Sequence, residues 1–313
     1  MTSQPAHREE LRYEGRVAVI TGAGRGLGRA YSLLLAARGA RVIVNDTGAS
    51  LRGDPSGAAA ADAVVAEIRA AGGQAVASTD SVATPEGGHA IVQTAIRSYG
   101  QIDILIHSAG IVRRASLKEI APADFEAVLD VHLRGGFHVV REAFPLMCKA
   151  RYGRIVLTSS VVGLYGNRHA VNYSVAKAGL LGLSNVVALE GAEEGVKCNA
   201  ILPGAVTRMS EGLDTSAFPP MTPEMVAPVV AWLAHETCSI TGEMLSSMAG
   251  RTSRAYLVES PGVYKSSWSP EDVAESMHQI RSTEQPVIIP FLPSGFASHL
   301  RYSFDMAARV GEQ

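Results

Sequence analysis

Tyr173 and Lys177 stand four residues apart in NYSVAKAG (172–179), at the head of the run LLGLSNVVALEG, where Leu180, Leu183, Val187 and Leu189 are spaced for a buried stripe. At about 3.6 residues per turn, positions four apart lie one above the other on a helix face. The spacing therefore holds a phenol beside an ammonium group at the start of a helix that nothing interrupts before Gly191. A phenol, with an ordinary pKa of about 10, is a poor proton acceptor at neutral pH. Bringing it down to about 7 takes roughly 4 kcal/mol in favour of the phenolate. A cation about 4 Å away, at an effective dielectric of about 20, supplies about that much. The pair reads as a tyrosine poised to take a proton, although the same two residues also meet on ordinary solvated helix faces.

A second constellation lies near the start of the chain. TGAGRGLG (21–28) follows the β-branched run RVAVIT and precedes an apolar-periodic segment. Gly22, Gly26 and Gly28, with Arg25 and Leu27 among them, let the backbone turn sharply and come close to a pyrophosphate. The helix that starts there turns its free N–H groups and positive end toward the anion. Asp46 closes the next hydrophobic run, eighteen residues beyond Gly28. That is near the offset of about 20 at which a carboxylate meets the adenosine ribose hydroxyls. Such a carboxylate repels a 2′-phosphate, so NAD is expected over NADP, with Arg25 as the counter-signal. The other reading of Asp46 is a solvated turn-former before Gly48.

The elements that must position these groups alternate. RVAVIT (16–21), ARVIVND (40–46), QAVAST (74–79), QIDILIHS (101–108), RIVLTSS (154–160) and VKCNAILP (196–203) read as buried strands. Helical patterns separate them, with two separate helices around PADFEAVLDVH and GGFHVVREAFPLMCKA and no hairpin between neighbouring strands. This predicts a doubly wound, Rossmann-type α/β domain with a parallel sheet over residues 12–250. Residues 251–313 read as a C-terminal extension, packed on the domain or on a neighbouring subunit. Within it SPEDVAESMHQI has Ser269 as N-cap, Pro270 in the first turn and Asp272 near the positive end.

Bulk properties narrow the field. The chain has 313 residues and a formal net charge of -2, without the basic footprint of a nucleic-acid binder. Cys148, Cys198 and Cys238 are scattered, with neither metal-ligand nor disulfide spacing, so no metal is expected. The opening MTSQPAHREELRYEG lacks an apolar export signal, the closing VGEQ matches no lipid or organelle address, and no stretch reads as a membrane span. The expectation is a cytoplasmic protein.

Taken together, the motifs resemble the short-chain dehydrogenase/reductase family. The family's T-G-x-x-x-G-x-G is matched by Thr21, Gly22, Gly26 and Gly28, its Y-x-x-x-K by Tyr173 and Lys177, and its P-G after the sixth strand by Pro203 and Gly204. The resemblance makes Ser160, thirteen residues before Tyr173, the catalytic serine that hydrogen-bonds the substrate oxygen. It implies that Lys177 also holds the nicotinamide ribose, that Asp80 with Ser81 meets the adenine, and that Thr207 reaches the carboxamide. Asp80 reads equally as a helix cap before Pro85. Where the family has N-N-A-G, this chain has His107, Ser108, Ala109 and Gly110, so Asn amide contacts to the cofactor side are lost while Ser108 keeps a donor. The Asn of the family's catalytic tetrad is replaced by His132, which reads either as a relay residue or as a histidine satisfied within helix packing.

VHLRGGF (131–137), LYGNRHAVNYSVAKAGLLGL (164–183), VNDTG (44–48) and AWLAHETC (231–238) further resemble the (3R)-hydroxyacyl-CoA dehydrogenase branch found in peroxisomal multifunctional enzymes of type 2. The resemblance implies NAD-dependent oxidation of a small-molecule substrate, an acyl-CoA or another bulky apolar alcohol, by a homodimer or homotetramer. The segment 204–222, which holds Arg208 and no acids beyond Glu211 and Asp214, suits an acyl chain or steroid better than a sugar. A hydroxysteroid dehydrogenase, a 3-ketoacyl reductase and a non-catalytic NAD-binding scaffold are the alternatives.

Overall fold

The structure, a computed structural model, describes residues 9–54, 59–210, 214, 216–289 and 291–311. Glu211 and the outermost residues of both ends lie outside them. The chain divides into two compact units, Met1–Arg254 and Ala255–Gln313.

In the first unit β1 (Val17–Thr21) leads into α1 (Gly26–Ala37), β2 (Arg41–Asn45), α2 (Ala59–Ala70), β3 (Gln74–Ser78) and α3 (Pro85–Tyr99). After β4 (Ile104–His107) come α4 (Pro122–Leu129), α5 (Gly135–Ala150), β5 (Gly153–Thr158), the short α6 (Val161–Tyr165) and α7 (Val171–Gly191). β6 (Val196–Gly204), α8 (Pro223–Ala234), β7 (Met244–Met248) and β8 (Arg251–Ala255) complete it. The sheet order is β3-β2-β1-β4-β5-β6-β7-β8, and β1 through β7 pair in parallel. This is a doubly wound, Rossmann-type α/β fold. Its crevice opens at the carboxyl ends of β1 and β4, where the strand order reverses.

Val17 through Ile20 and Ile104 through Ile106 are fully buried, as strands covered on both faces must be. Helices α1, α2 and α8 pack together on one side, and α3, α5 and α7 pack with α4 on the other. Along α7 the buried stripe is Ala176, Leu180, Ser184 and Val187, while Leu183 and Leu189 are only half-buried.

The first unit departs from sequence expectation in two places. The two helices around 122–132 and 135–150 form one rod, because the π-helical turn Asp130–Arg134 joins α4 to α5. The predicted alternation without hairpins fails at β7 and β8, which Ala249 and Gly250 connect with φ of 48° and 79°. Two consecutive positive φ values are what a tight two-residue hairpin requires. Val171–Glu194 is long and apolar enough to cross a membrane by composition. Its packing against β5 and β6 and its buried Lys177 make it a core helix of the first unit.

In the second unit α9 (Pro270–Ile280) starts with a reciprocal capping box. Asp272 N–H donates to the Ser269 hydroxyl, and Ser269 N–H donates to the Asp272 carboxylate. The final helix, α10 (Phe296–Gly311), had no counterpart in the sequence reading.

Candidate active site

A cleft of about 300 Å³ lies at the carboxyl ends of the parallel strands. Gly22, Arg25, Gly26, Leu27, Gly28, Asp46, Asp80, Ser81, Ser108, Ala109, Gly110, His132, Tyr173, Lys177, Pro203 and Thr207 all line it. Ser160 does not line the cleft itself but adjoins Ser159, which does, and its hydroxyl pulls the Tyr173 phenol down.

The glycine turn is built by close backbone approach. Gly22 has φ of 65°, and a Cβ there would lie 2.6 Å from the Cα of Ala109. A Cβ on Gly28 would lie 2.3 Å from the Gly22 carbonyl oxygen. The first turn of α1 carries no acid, and its N-cap, Arg25, makes no side-chain cap bond, which leaves N–H donors for an anion. Asp46 forms the turn before Gly48 and also supports the glycine turn: one carboxylate oxygen accepts from Gly24 N–H at 2.9 Å and the other from Gly48 N–H at 2.8 Å. Asp80 is not the cap of α3. That position belongs to Thr84, whose hydroxyl accepts from Gly87 N–H, while Asp80 accepts from the Ser78 hydroxyl. The Ser81 hydroxyl accepts from Ala83 N–H. Thr207 leans over the glycine turn, so that a Cβ on Gly26 would lie 3.4 Å from its methyl group. These groups can cradle a dinucleotide along the switch point of the sheet.

At the other end, α7 places Tyr173 and Lys177 on one face. Lys177 is buried, its Nζ donates to the Thr158 carbonyl, and it sits 5.5 Å from the Tyr173 ring centroid. The Ser159 hydroxyl donates to the Lys177 carbonyl at 2.7 Å, tying β5 to α7. Burial moves the two titratable groups in opposite directions. The ammonium of Lys177 is pushed down to about 7. The phenol of Tyr173 is pushed up, against the opposing pulls of the Ser160 hydrogen bond and the Arg114 charge. Desolvation is the largest cause of both shifts, an influence that the one-turn spacing of the pair does not register.

His132 lies in the π-helical turn and packs edge to face with Tyr173. Its Nε2 is 2.9 Å from the Ile111 carbonyl, and its Nδ1 is buried without a hydrogen-bond partner. Burial, with the Lys177 charge, holds it well below the ordinary histidine range, so the ring is neutral. Sequence reasoning treated His107 only as a missing Asn. It is instead a buried strut, accepting from the Thr21 hydroxyl at Nδ1 and donating from Nε2 to the His132 carbonyl. Thr21 Oγ1 in turn accepts from Ser108 and Ala109 N–H, so β1, the β4 loop and the π turn are fixed together. Thr158, a main-chain acceptor for Lys177, carries no signal in sequence because any residue supplies a carbonyl.

The short chain dehydrogenase family model matches residues 16–216, and the chain belongs to that family of nicotinamide-dependent oxidoreductases. The peroxisomal multifunctional enzyme type 2 of Drosophila melanogaster is 50% identical over 254 residues, covering 81% of this chain and 42% of that one. A short-chain type dehydrogenase/reductase of Mycobacterium tuberculosis is 44% identical over 269 residues, covering 85% of this chain and 94% of that one. The solved full-length Drosophila multifunctional enzyme superposes with a TM-score of 0.80 at 38% identity, over 96% of this chain and 51% of that one. The chain thus spans only 42% and 32% of the Drosophila and mouse type 2 multifunctional enzymes.

Proposed function

We propose that the chain oxidises the secondary alcohol of a (3R)-hydroxyacyl-CoA with NAD. The observation that carries the proposal is Tyr173 and Lys177 on one face of α7, in the same cleft as the glycine turn and Asp46. The likeness to multifunctional enzymes type 2 supports the choice of substrate.

In this reading Tyr173 takes the hydroxyl proton, and Ser160 donates a hydrogen bond to the same oxygen as negative charge grows on it. Bound nicotinamide supplies the hydride acceptor. Lys177 and Tyr173 can pass from amine and phenol to ammonium and phenolate with no change of net charge, which avoids burying one unpaired ion. Asp46 is assigned to the adenosine ribose, which favours NAD over NADP. Asp80 and Ser81 are assigned to the adenine side, and Thr207 to the carboxamide. His132 keeps two readings, packing partner and relay residue.

The same proposal includes homodimers or homotetramers formed through α5 and α7, where Ala178, Gly182 and Val186 are exposed. It keeps a cytoplasmic site of action, with peroxisomal import, suggested by the relatives' names, as the competing result of a fractionation experiment.

The test is an initial-rate assay of NADH appearance with (3R)- and (3S)-hydroxyacyl-CoA, NAD or NADP, and Tyr173→Phe as control. Turnover of the R isomer with NAD, lost in the control, is expected. Activity confined to steroids or other alcohols would overturn the substrate assignment.

A further inference from the structure

We propose that Arg114 is a substrate-reading residue, placed to hold the thioester carbonyl oxygen while Tyr173 acts on the hydroxyl two carbons away. This inference rests on the hydroxyacyl reading above.

The placement follows from the backbone. Arg114 belongs to the loop after β4, and its neighbour Ala115 donates from N–H to the His169 carbonyl at 3.2 Å and bridges to Ala170. Ala170 immediately precedes α7, so Arg114 stands beside the helical turn that carries Tyr173. On its other side the guanidinium donates from Nη2 to the Met209 carbonyl at 3.4 Å, and Met209 lines the cleft. The side chain therefore runs from beside the start of α7 to Met209, one of the residues that line the cleft. Its positive charge is felt by the Tyr173 phenol.

The two neighbouring arginines are directed elsewhere. Arg113 pairs with Asp124 at 2.9 Å and donates to the Arg52 carbonyl at 2.9 Å. Arg208 reaches away, toward the Ala49 carbonyl at 3.3 Å on the Asp46 side of the cleft. Among the described residues no carboxylate pairs with Arg114, and its bond to Met209 is long, so its remaining N–H groups can serve an incoming acceptor. The acceptor must lie near Tyr173. The phosphates of coenzyme A are a whole pantetheine arm away from the reacting carbon, whereas the thioester carbonyl is adjacent to it in the acyl head. An exposed guanidinium is screened in the free chain, but an acyl chain that covers it removes that water and strengthens the contact.

The test compares (3R)-hydroxybutyryl-CoA with the thioether of the same configuration, in which a methylene replaces only the C1 carbonyl. Arg114→Gln is expected to lower kcat/KM for the thioester by about 10- to 100-fold, the worth of a charge-assisted hydrogen bond, and to leave the thioether nearly unchanged. Arg114→Lys should recover part of the loss on the thioester alone. Equal losses on both compounds, or no loss on either, overturn the inference while leaving the hydroxyacyl reading intact. A wild-type chain inactive on hydroxyacyl-CoA removes that reading first and this inference with it.

Discussion

The imidazole of His132 meets the Tyr173 ring at 85° with 5.2 Å between centroids, and its Nδ1 has no partner. A buried, unsatisfied ring nitrogen is costly, so the position is held by what the ring does around it. His132→Asn keeps a polar group at the place of Nδ1, though not the Nε2 contact to the Ile111 backbone, and should retain kcat within about tenfold, whereas His132→Leu should lose about 100-fold or more if a proton passes through this position. Steady-state kcat of both variants, with unchanged circular dichroism, separates relay from packing. Equal, small losses would assign the ring to packing.

Lys177 makes stability depend on pH in a defined direction. Its ordinary pKa of 10.5 falls to about 7 in the folded chain. Between those values the unfolded chain holds a proton that the folded chain has released, so unfolding free energy rises with pH. The contribution is complete above the unfolded value and is lost as pH falls through about 7. Tyr173, shifted upward, acts oppositely above its ordinary value of 10.0, which closes the window there. Urea midpoints of the apo chain, measured at about pH 7 and about pH 9.5, should rise more in the wild type than in Lys177→Met.

The same burial sets the activity profile. Ser160 is the largest influence holding the Tyr173 phenol down against desolvation. Ser160→Ala should therefore move the rising limb of the oxidation rate toward alkaline pH as well as lower kcat by about 100-fold. A loss of rate with the limb unmoved would remove the serine from control of the phenol.

Asp46 does two jobs that one substitution can split. Both of its oxygens accept backbone N–H groups, one from Gly24 in the glycine turn and one from Gly48. Asp46→Asn retains one acceptor and removes the charge. KM for NAD should rise about tenfold and the preference against NADP should shrink, because the repelling carboxylate is gone. Unchanged ratios of kcat/KM for the two cofactors would leave Asp46 as a structural anchor only.

Gly110 touches the site through its lack of a side chain. A Cβ there would come within 2.3 Å of His132 Cε1, so Gly110→Ala must displace a buried ring. A loss of about 1–3 kcal/mol in stability is expected, read from denaturant titration, together with a fall in kcat as the ring against Tyr173 moves.

Much of this was legible in the sequence because it rests on local rules. Strand cores, the glycine turn, the carboxylate just after β2, the one-turn spacing of Tyr173 and Lys177 and the capping box at Ser269 each depend on a few adjacent residues. What stayed hidden depends on partners far along the chain. His107 serves Thr21 and the His132 carbonyl, Thr158 serves Lys177 through its main chain, and Arg114 reaches Met209, none of which a local pattern records. The β7–β8 hairpin was missed because its turn, Ala249-Gly250, lacks the Asn or Asp that usually marks such connections. The upward pull of burial on Tyr173 is hidden too, because spacing shows which charges can meet but not how much water is lost around them.

The five-residue turn Asp130–Arg134 carries a consequence for engineering the chain. A π turn amounts to one surplus residue in an α-helix, which in α-helical geometry advances everything beyond it by about 100°. Removing a single residue there would leave a regular rod but swing either the histidine away from the tyrosine or the whole of α5 off the sheet. Homologous segments grafted across this point must therefore be matched in length, not merely in apolar pattern.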